Sequence, residues 1–212
     1  MICVAISDKN FEHCLSVLKQ TDMAEIRLDM TQFSLEQVRQ VFSLKKKLIA
    51  AYRPLEGKEK EQMIQLKAAV EAGADYMDIE FECCDEYRKD MIEFAHKHNC
   101  DVIISYHNYD CTPALEELRK IVAACFQKGA DLAKIATMVR TNNDNAEILS
   151  LYNIPGRVVA FGMGNLGKIT RIVAPFLGAE FTFAAMDEGI ETAPGQIKYS
   201  IMKAAIQQIE NL

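Results

Sequence analysis

The sequence has no run of about 18 consecutive apolar residues, so it offers no candidate membrane-spanning helix. It has no excess of positive charge either. Its 24 Lys and Arg stand against 30 Asp and Glu, and the net charge of −6 argues against a nucleic-acid partner. The run Lys45-Lys46-Lys47 is too short for a polyanion patch and reads as a solvated loop. No Pro- or Ser-rich linker and no break in composition divides the 212 residues, so a single domain over residues 1–212 is expected. Seven cysteines without repeated spacing give no disulfide framework, and Met1–Ser7 lacks the basic start and apolar core of a secretory signal. Reduced thiols in a cytoplasmic protein are the expectation. The segment His96-Lys97-His98-Asn99-Cys100 carries three side chains that bind metals, but alternate residues on a helix diverge. It reads instead as the last turn of a helix, where His suits the dipole.

What is present is alternation. Short β-rich runs occur at Ile2–Ser7, Met23–Met30, Leu48–Arg53, Tyr76–Phe81, Asp101–Tyr106, Leu132–Met138, Arg157–Met163 and Glu180–Ala185, eight in all. Between them lie stretches of helical periodicity, such as Phe11, Cys14, Leu15 and Leu18, or Leu115, Leu118, Val122 and Cys125. Asn10, Ser34, Thr112 and Asn145 are the expected N-caps, while Gly73, Gly129, Gly156 and Gly178 stand where helices give way to strands. Strand–helix alternation implies parallel strands with right-handed crossovers. Eight such units predict an α/β fold, a single-domain (β/α)8 TIM barrel near the lower size limit for that fold.

The stretch Val158-Val159-Ala160-Phe161-Gly162-Met163-Gly164-Asn165-Leu166-Gly167-Lys168 fits both G-x-G-x-x-G and most of a P-loop. The dinucleotide fingerprint belongs to the first βα turn of its fold, however, and this is the seventh. The P-loop reading fails at Ile169, where a Ser or Thr hydroxyl should reach magnesium. An anion-facing loop after strand seven is expected instead, with Arg171 in the first turn of the next helix sharing the anion.

Barrel active sites lie at the C-terminal ends of the strands, so polar residues in those positions carry the information. Lys134 interrupts the apolar run of strand six, and an amine taken out of water is expected to be partly neutral and nucleophilic toward carbonyls. On strand two, Glu25, Arg27 and Asp29 alternate with apolar residues, which puts all three charges on one face, the barrel lumen. Arg53 ends strand three, Glu56 follows in the turn, and His107 at the end of strand five is placed for acid–base work. Thr192-Ala193-Pro194-Gly195-Gln196 forms a turn able to cover the barrel mouth. A buried amine, a histidine, arginines and acids suit carbonyl chemistry on a small polyhydroxy acid. At this level a dehydratase, a small class I aldolase and a non-catalytic acid-binding barrel all remain open.

Taken together, Glu-x-Arg-x-Asp on strand two, Tyr52-Arg53-Pro54 ahead of Glu56, Ser105-Tyr106-His107-Asn108 and Lys134 within Ala-Lys-Ile-Ala resemble the type I 3-dehydroquinate dehydratase family. Met163 eight residues before Arg171, and Ala193-Pro194-Gly195-Gln196, extend the resemblance across all eight strands. It implies conversion of 3-dehydroquinate to 3-dehydroshikimate and water in the shikimate route, with no cofactor and no metal, in a homodimer. It also implies that Lys134 forms an imine with the substrate ketone and that His107 moves the protons. Glu56 would then orient His107, Arg171 would pair with the carboxylate, and Glu25, Arg27 and Arg53 would bind ring hydroxyls. Met163 and Phe183 would line the pocket, and Thr192 and Gln196 would close over it. The chain departs from the family pattern in starting at strand one without a plugging hairpin, in a shorter Arg53–Glu56 spacing with Lys58 after Gly57, in a longer stretch between Phe183 and Thr192, and in Thr192 where Ser is commoner.

Overall fold

The computed structural model describes residues 1–188 and 192–212. Its parallel strands are β1 (Ile2–Ile6), β2 (Met23–Arg27), β3 (Lys47–Ala51), β4 (Tyr76–Glu80), β5 (Asp101–Asn108), β6 (Leu132–Met138), β7 (Val158–Met163) and β8 (Thr182–Ala185). They form one eight-stranded sheet in the order β7-β6-β5-β4-β3-β2-β1-β8, which curls into the expected barrel. Because β7 and β8 are the two ends of that order, no strand-to-strand pairing joins them among the described residues. The seam is filled by side chains, with Phe161 and Phe183 rings 5.4 Å apart.

The helices α1 (Phe11–Gln20), α2 (Leu28–Thr31), α3 (Leu35–Phe42), α4 (Glu59–Glu71), α5 (Asp85–Lys97), α6 (Leu115–Gln127), α7 (Asn142–Leu149), α8 (Lys168–Val173) and α9 (Tyr199–Glu210) follow the strands. Side chains alternate along each strand, so two apolar layers form. One lies between strands and helices and includes Val4, Ile26, Ala50, Ile104 and Ile135. The other fills the lumen with Cys3, Met23, Ile49, Ile103, Leu132, Val159, Phe181 and Phe183.

Local signals decide the helix starts. Asn10 accepts the His13 amide and Ser34 forms a reciprocal capping box with Gln37, as expected. Thr112 does not cap α6, whose N-cap position is Ala114 without a side-chain cap; its hydroxyl instead bonds Thr137 and the Met138 carbonyl. Asn145 is likewise displaced, since Thr141 and Asp144 make the capping box of α7. Strand β2 ends at Arg27 rather than Met30, because Leu28–Thr31 turns into a helix that carries Asp29 back to Arg27. His96 bonds Asp131 at 2.8 Å and His98 bonds the Phe94 carbonyl at 2.9 Å, so each ring is engaged at the end of α5. All seven cysteines are free thiols. No described helix is long and apolar enough to cross a membrane.

The floor of the barrel is ionic. Arg157 holds both Glu180 oxygens at 2.8 and 3.0 Å, Lys47 reaches the same carboxylate at 3.3 Å, and the Tyr76 hydroxyl donates to it. The Arg157 bond and the Tyr76 and Lys47 donors lower the Glu180 carboxyl to about 2. A carboxyl depressed in the folded state contributes stability above its unfolded value and loses it as pH falls. Glu180→Gln is therefore expected to lower stability by about 1–2 kcal/mol at neutral pH, an effect that fades between about pH 5 and pH 2. Thermal unfolding of both proteins across that range checks it; a difference that persists at full size in acid would rule it out.

Candidate active site

The lumen becomes polar toward the C-terminal ends of the strands. Lys134, third residue of β6, is 2 % exposed and lies opposite Ser105 in the β5–β6 register. Its Nζ donates to Glu25 Oε2 at 2.9 Å and to Asp78 Oδ2 at 2.8 Å, and sits 4.4 Å from the centre of the Phe183 ring. Burial alone would lower the pKa of this amine, but the Asp78 and Glu25 charges more than reverse that, and it is raised. The expectation of a partly neutral lysine is therefore corrected. At rest Lys134 is an ammonium ion held by two carboxylates.

Asp78 is fully desolvated, a state that costs several kcal/mol unless donors surround the charge. Lys134, Ser105 Oγ and, at 3.4 Å, Arg53 Nη1 supply them. Against the upward push of burial, the Lys134 and Arg53 charges hold this carboxyl well below the usual range. Arg53 lies just past the end of β3 and is the hub of the cluster. It donates to Asp78, to Glu80, to Ser105 Oγ at 3.1 Å and to His107 Nε2 at 3.2 Å.

His107, near the end of β5, has Nδ1 at 3.1 Å from Glu80 Oε2, and its ring stacks on Tyr109 at 6.2 Å. Burial first and the Arg53 charge second lower its pKa, so the ring is neutral near pH 7. Glu56 is not brought to His107. It is exposed in the loop after β3, and the carboxylate bonded to the imidazole belongs to Glu80. Asp78 and Glu80 were absent from the sequence-based site, although Tyr76, Asp78 and Glu80 alternate with Met77 and Ile79 as Glu25 and Arg27 do with their neighbours. Arg27 is engaged by Asp29 through two bonds of 3.0 and 2.8 Å.

Arg171 is fully buried in α8; its Nη1 lies 3.4 Å from the Phe183 carbonyl and its guanidinium 4.2 Å from the Phe161 ring centre. The glycines before it do not face an anion. A Cβ on Gly162 would stand 2.8 Å from the Gly167 Cα, so the two exist to let the backbone fold against itself. Their amides are spent inside the protein. Gly162 donates to Thr170 Oγ1, Gly164 to the Pro194 carbonyl and Gly167 to the Gly164 carbonyl. The expected anion loop is thus a packing device. It holds Pro194 and Gly195 over the barrel mouth, where a Cβ on Gly195 would meet the Gly164 oxygen at 2.3 Å.

Within the covering turn, Gln196 Oε1 accepts from the Thr192 amide at 2.8 Å and its hydroxyl at 3.2 Å. The lengthened stretch after Phe183 includes Gly189, Ile190 and Glu191, which lie outside the described residues. One cleft is lined by Glu25, Arg27, Arg53, His107, Lys134, Met163, Arg171, Phe183, Thr192 and Gln196, which brings together every predicted site residue except Glu56. About 30 Å³ of free space remains in it, roughly room for one water.

The whole chain, residues 2–212, matches the type I 3-dehydroquinase family model. The chain belongs to that family. A 3-dehydroquinate dehydratase from Methanococcus maripaludis strain C7 is 32% identical over 221 residues, covering 99% of this chain and 100% of the relative. Among solved structures, 3-dehydroquinate dehydratase from Geobacillus kaustophilus HTA426 superposes with a TM-score of 0.85 at 22% identity, over 99% of this chain and 91% of that one, and shows the shared fold. The type I enzyme from Clostridium difficile, with covalently modified comenic acid, gives a TM-score of 0.84 at 25% identity over 99% and 92% of the two chains. As a type I 3-dehydroquinase, this chain carries the Schiff-base chemistry characteristic of the family, and Lys134 is the lysine buried in its cleft.

Proposed function

We propose that this protein dehydrates 3-dehydroquinate to 3-dehydroshikimate and water, with Lys134 as the imine-forming residue and His107 as the acid–base. The observation that carries the residue assignment is a buried amine, an imidazole and a buried guanidinium lining one cleft. The Nζ of Lys134 adds to the substrate ketone, and loss of water leaves an iminium. His107 Nε2 then takes the proton from the adjacent carbon, the iminium drawing in the electron pair. The same proton goes to the departing hydroxyl, and hydrolysis of the imine returns Lys134.

Because Lys134 rests as an ammonium, it must first lose a proton. Glu25 and Asp78 are its immediate acceptors at 2.9 and 2.8 Å. When Glu25 turns to a substrate hydroxyl, one of the two charges that keep the proton in place is withdrawn. Arg171 pairs with the substrate carboxylate, for which a planar fork suits better than an ammonium. Arg27 and Arg53 join Glu25 on the ring hydroxyls, Met163 and Phe183 line the pocket, and Thr192 and Gln196 close it. A cytoplasmic homodimer completes this reading, on the strength of the family resemblance.

Borohydride reduction in the presence of 3-dehydroquinate, followed by peptide mass spectrometry, tests the assignment. An adduct on the peptide containing Lys134 is expected. Turnover without an adduct, or an adduct on another lysine, would overturn it.

A further inference from the structure

The family resemblance implies that Glu56, in the loop after β3, partners the histidine, yet Glu56 is exposed and the carboxylate bonded to the ring belongs to Glu80. Glu80 occupies the role instead. It ends β4, where its register partner on β5 is Ser105, two residues from His107. The side chains of Glu80 and His107 are 13% and 11% exposed, so the 3.1 Å contact between them is shielded from water.

Two neighbours decide the form of the ring. Arg53 carries no acceptor, so its contact with Nε2 at 3.2 Å requires a lone pair on that nitrogen. The proton of the neutral imidazole is then on Nδ1, where it donates to Glu80. Arg53 also bonds Glu80 itself, which fixes the carboxylate that fixes the ring. We propose that Glu80 is the positioning residue of the reaction: its carboxylate takes the Nδ1 proton, locks the tautomer and turns Nε2 toward the substrate. When Nε2 accepts the substrate proton, the ring becomes imidazolium, Nδ1–H stays on Glu80, and Glu80 remains ionised.

The groups facing His107 give the sign of its pH response. Arg53 from beyond β3 and Lys134 from β6 are cations that disfavour imidazolium, Glu80 and Asp78 from β4 are anions that favour it, and the Tyr109 ring stacks on the imidazole. Removing Glu80 leaves the cations less opposed, so the ring becomes harder to protonate.

The proposal rests on the acid–base role given to His107 above, and the test separates the two. Glu80→Ala, Glu80→Gln and Glu56→Gln are compared in kcat against pH with 3-dehydroquinate, and in the ¹⁵N chemical shifts of the His107 ring without substrate. Glu80→Ala is expected to lower kcat about 100-fold, with KM changed less, and to move the acid limb to lower pH. Glu80→Gln, which keeps an acceptor at Nδ1, should recover part of kcat while its acid limb moves the same way. In both Glu80 variants the ¹⁵N shifts should report a weakened preference for Nδ1–H, and Glu56→Gln should match wild type in every readout. An acid limb and ring tautomer that stay in place in the Glu80 variants, or that move in Glu56→Gln instead, would overturn the proposal. A wild-type enzyme inert toward dehydroquinate would sink the functional reading, while the ring shifts would still decide the role of Glu80.

Discussion

Lys134→Ala is expected to abolish turnover, a loss of at least about 10⁴-fold in kcat, because no other group in the cleft can form the iminium that accepts the electron pair. Hydroxyl and carboxylate recognition is left in place, so a dehydroquinate analogue should still bind and stabilise the variant against heat. The same substitution has a structural consequence of opposite pH sense to the wild type. It strips the ammonium from Glu25 and leaves Asp78 with only Ser105 and Arg53, and removing one partner of a buried ion pair costs about 3–5 kcal/mol. In the wild-type protein the depressed Asp78 carboxyl makes acid destabilising. In the variant, protonating Asp78 removes a buried charge that has lost its ammonium partner, so mild acid should narrow the stability gap. Thermal unfolding at pH 5 and pH 8, alongside formation of the conjugated enone in the near ultraviolet, reads both effects. Turnover within about tenfold of wild type would remove Lys134 from the chemistry.

His107→Ala should slow proton abstraction and departure of the hydroxyl by about 10²-fold or more, the usual scale of general acid–base catalysis. Unlike the lysine variant, it should still be trapped by borohydride as a Lys134 adduct, formed more slowly. Because the ring is neutral at rest, wild-type activity falls as pH drops through its lowered pKa, and that acid limb should be missing from the variant's profile. Single-turnover mixing separates the two steps. Equal rates of elimination in the two proteins would exclude His107 as the base.

The barrel was legible because hydrophobic period and glycine position repeat faithfully around it, and Lys134 stood out because a lone charge inside β6 has few explanations in a sheet covered on both faces. Its protonation state was not legible. The deciding partners, Glu25 and Asp78, come from strands 109 and 56 residues away in sequence, and no local pattern reports their approach. Asp78 and Glu80 could have been found, since the period-two reasoning that marked Glu25 and Arg27 applies unchanged to β4. The role of Glu56 is what the family resemblance implies, although its spacing from Arg53 is shorter than the family pattern. Three residues beyond Arg53 the side chain of Glu56 is exposed, and the imidazole bonds Glu80 instead. The glycine run failed in a related way, because the sequence shows that a Cβ is excluded but not what occupies the space, here Gly162 against Gly167.

Among the described residues, the edge between β7 and β8 gives the ring of strands one joint without ladder hydrogen bonds. Phe161, Met163 and Arg171 stand on one side of that joint and Phe183 on the other, so the wall of the cleft crosses the place where strand pairing stops. The seven registered strand pairs tie every other neighbouring pair of strands, so any change in the width of the chamber at that joint would leave them intact.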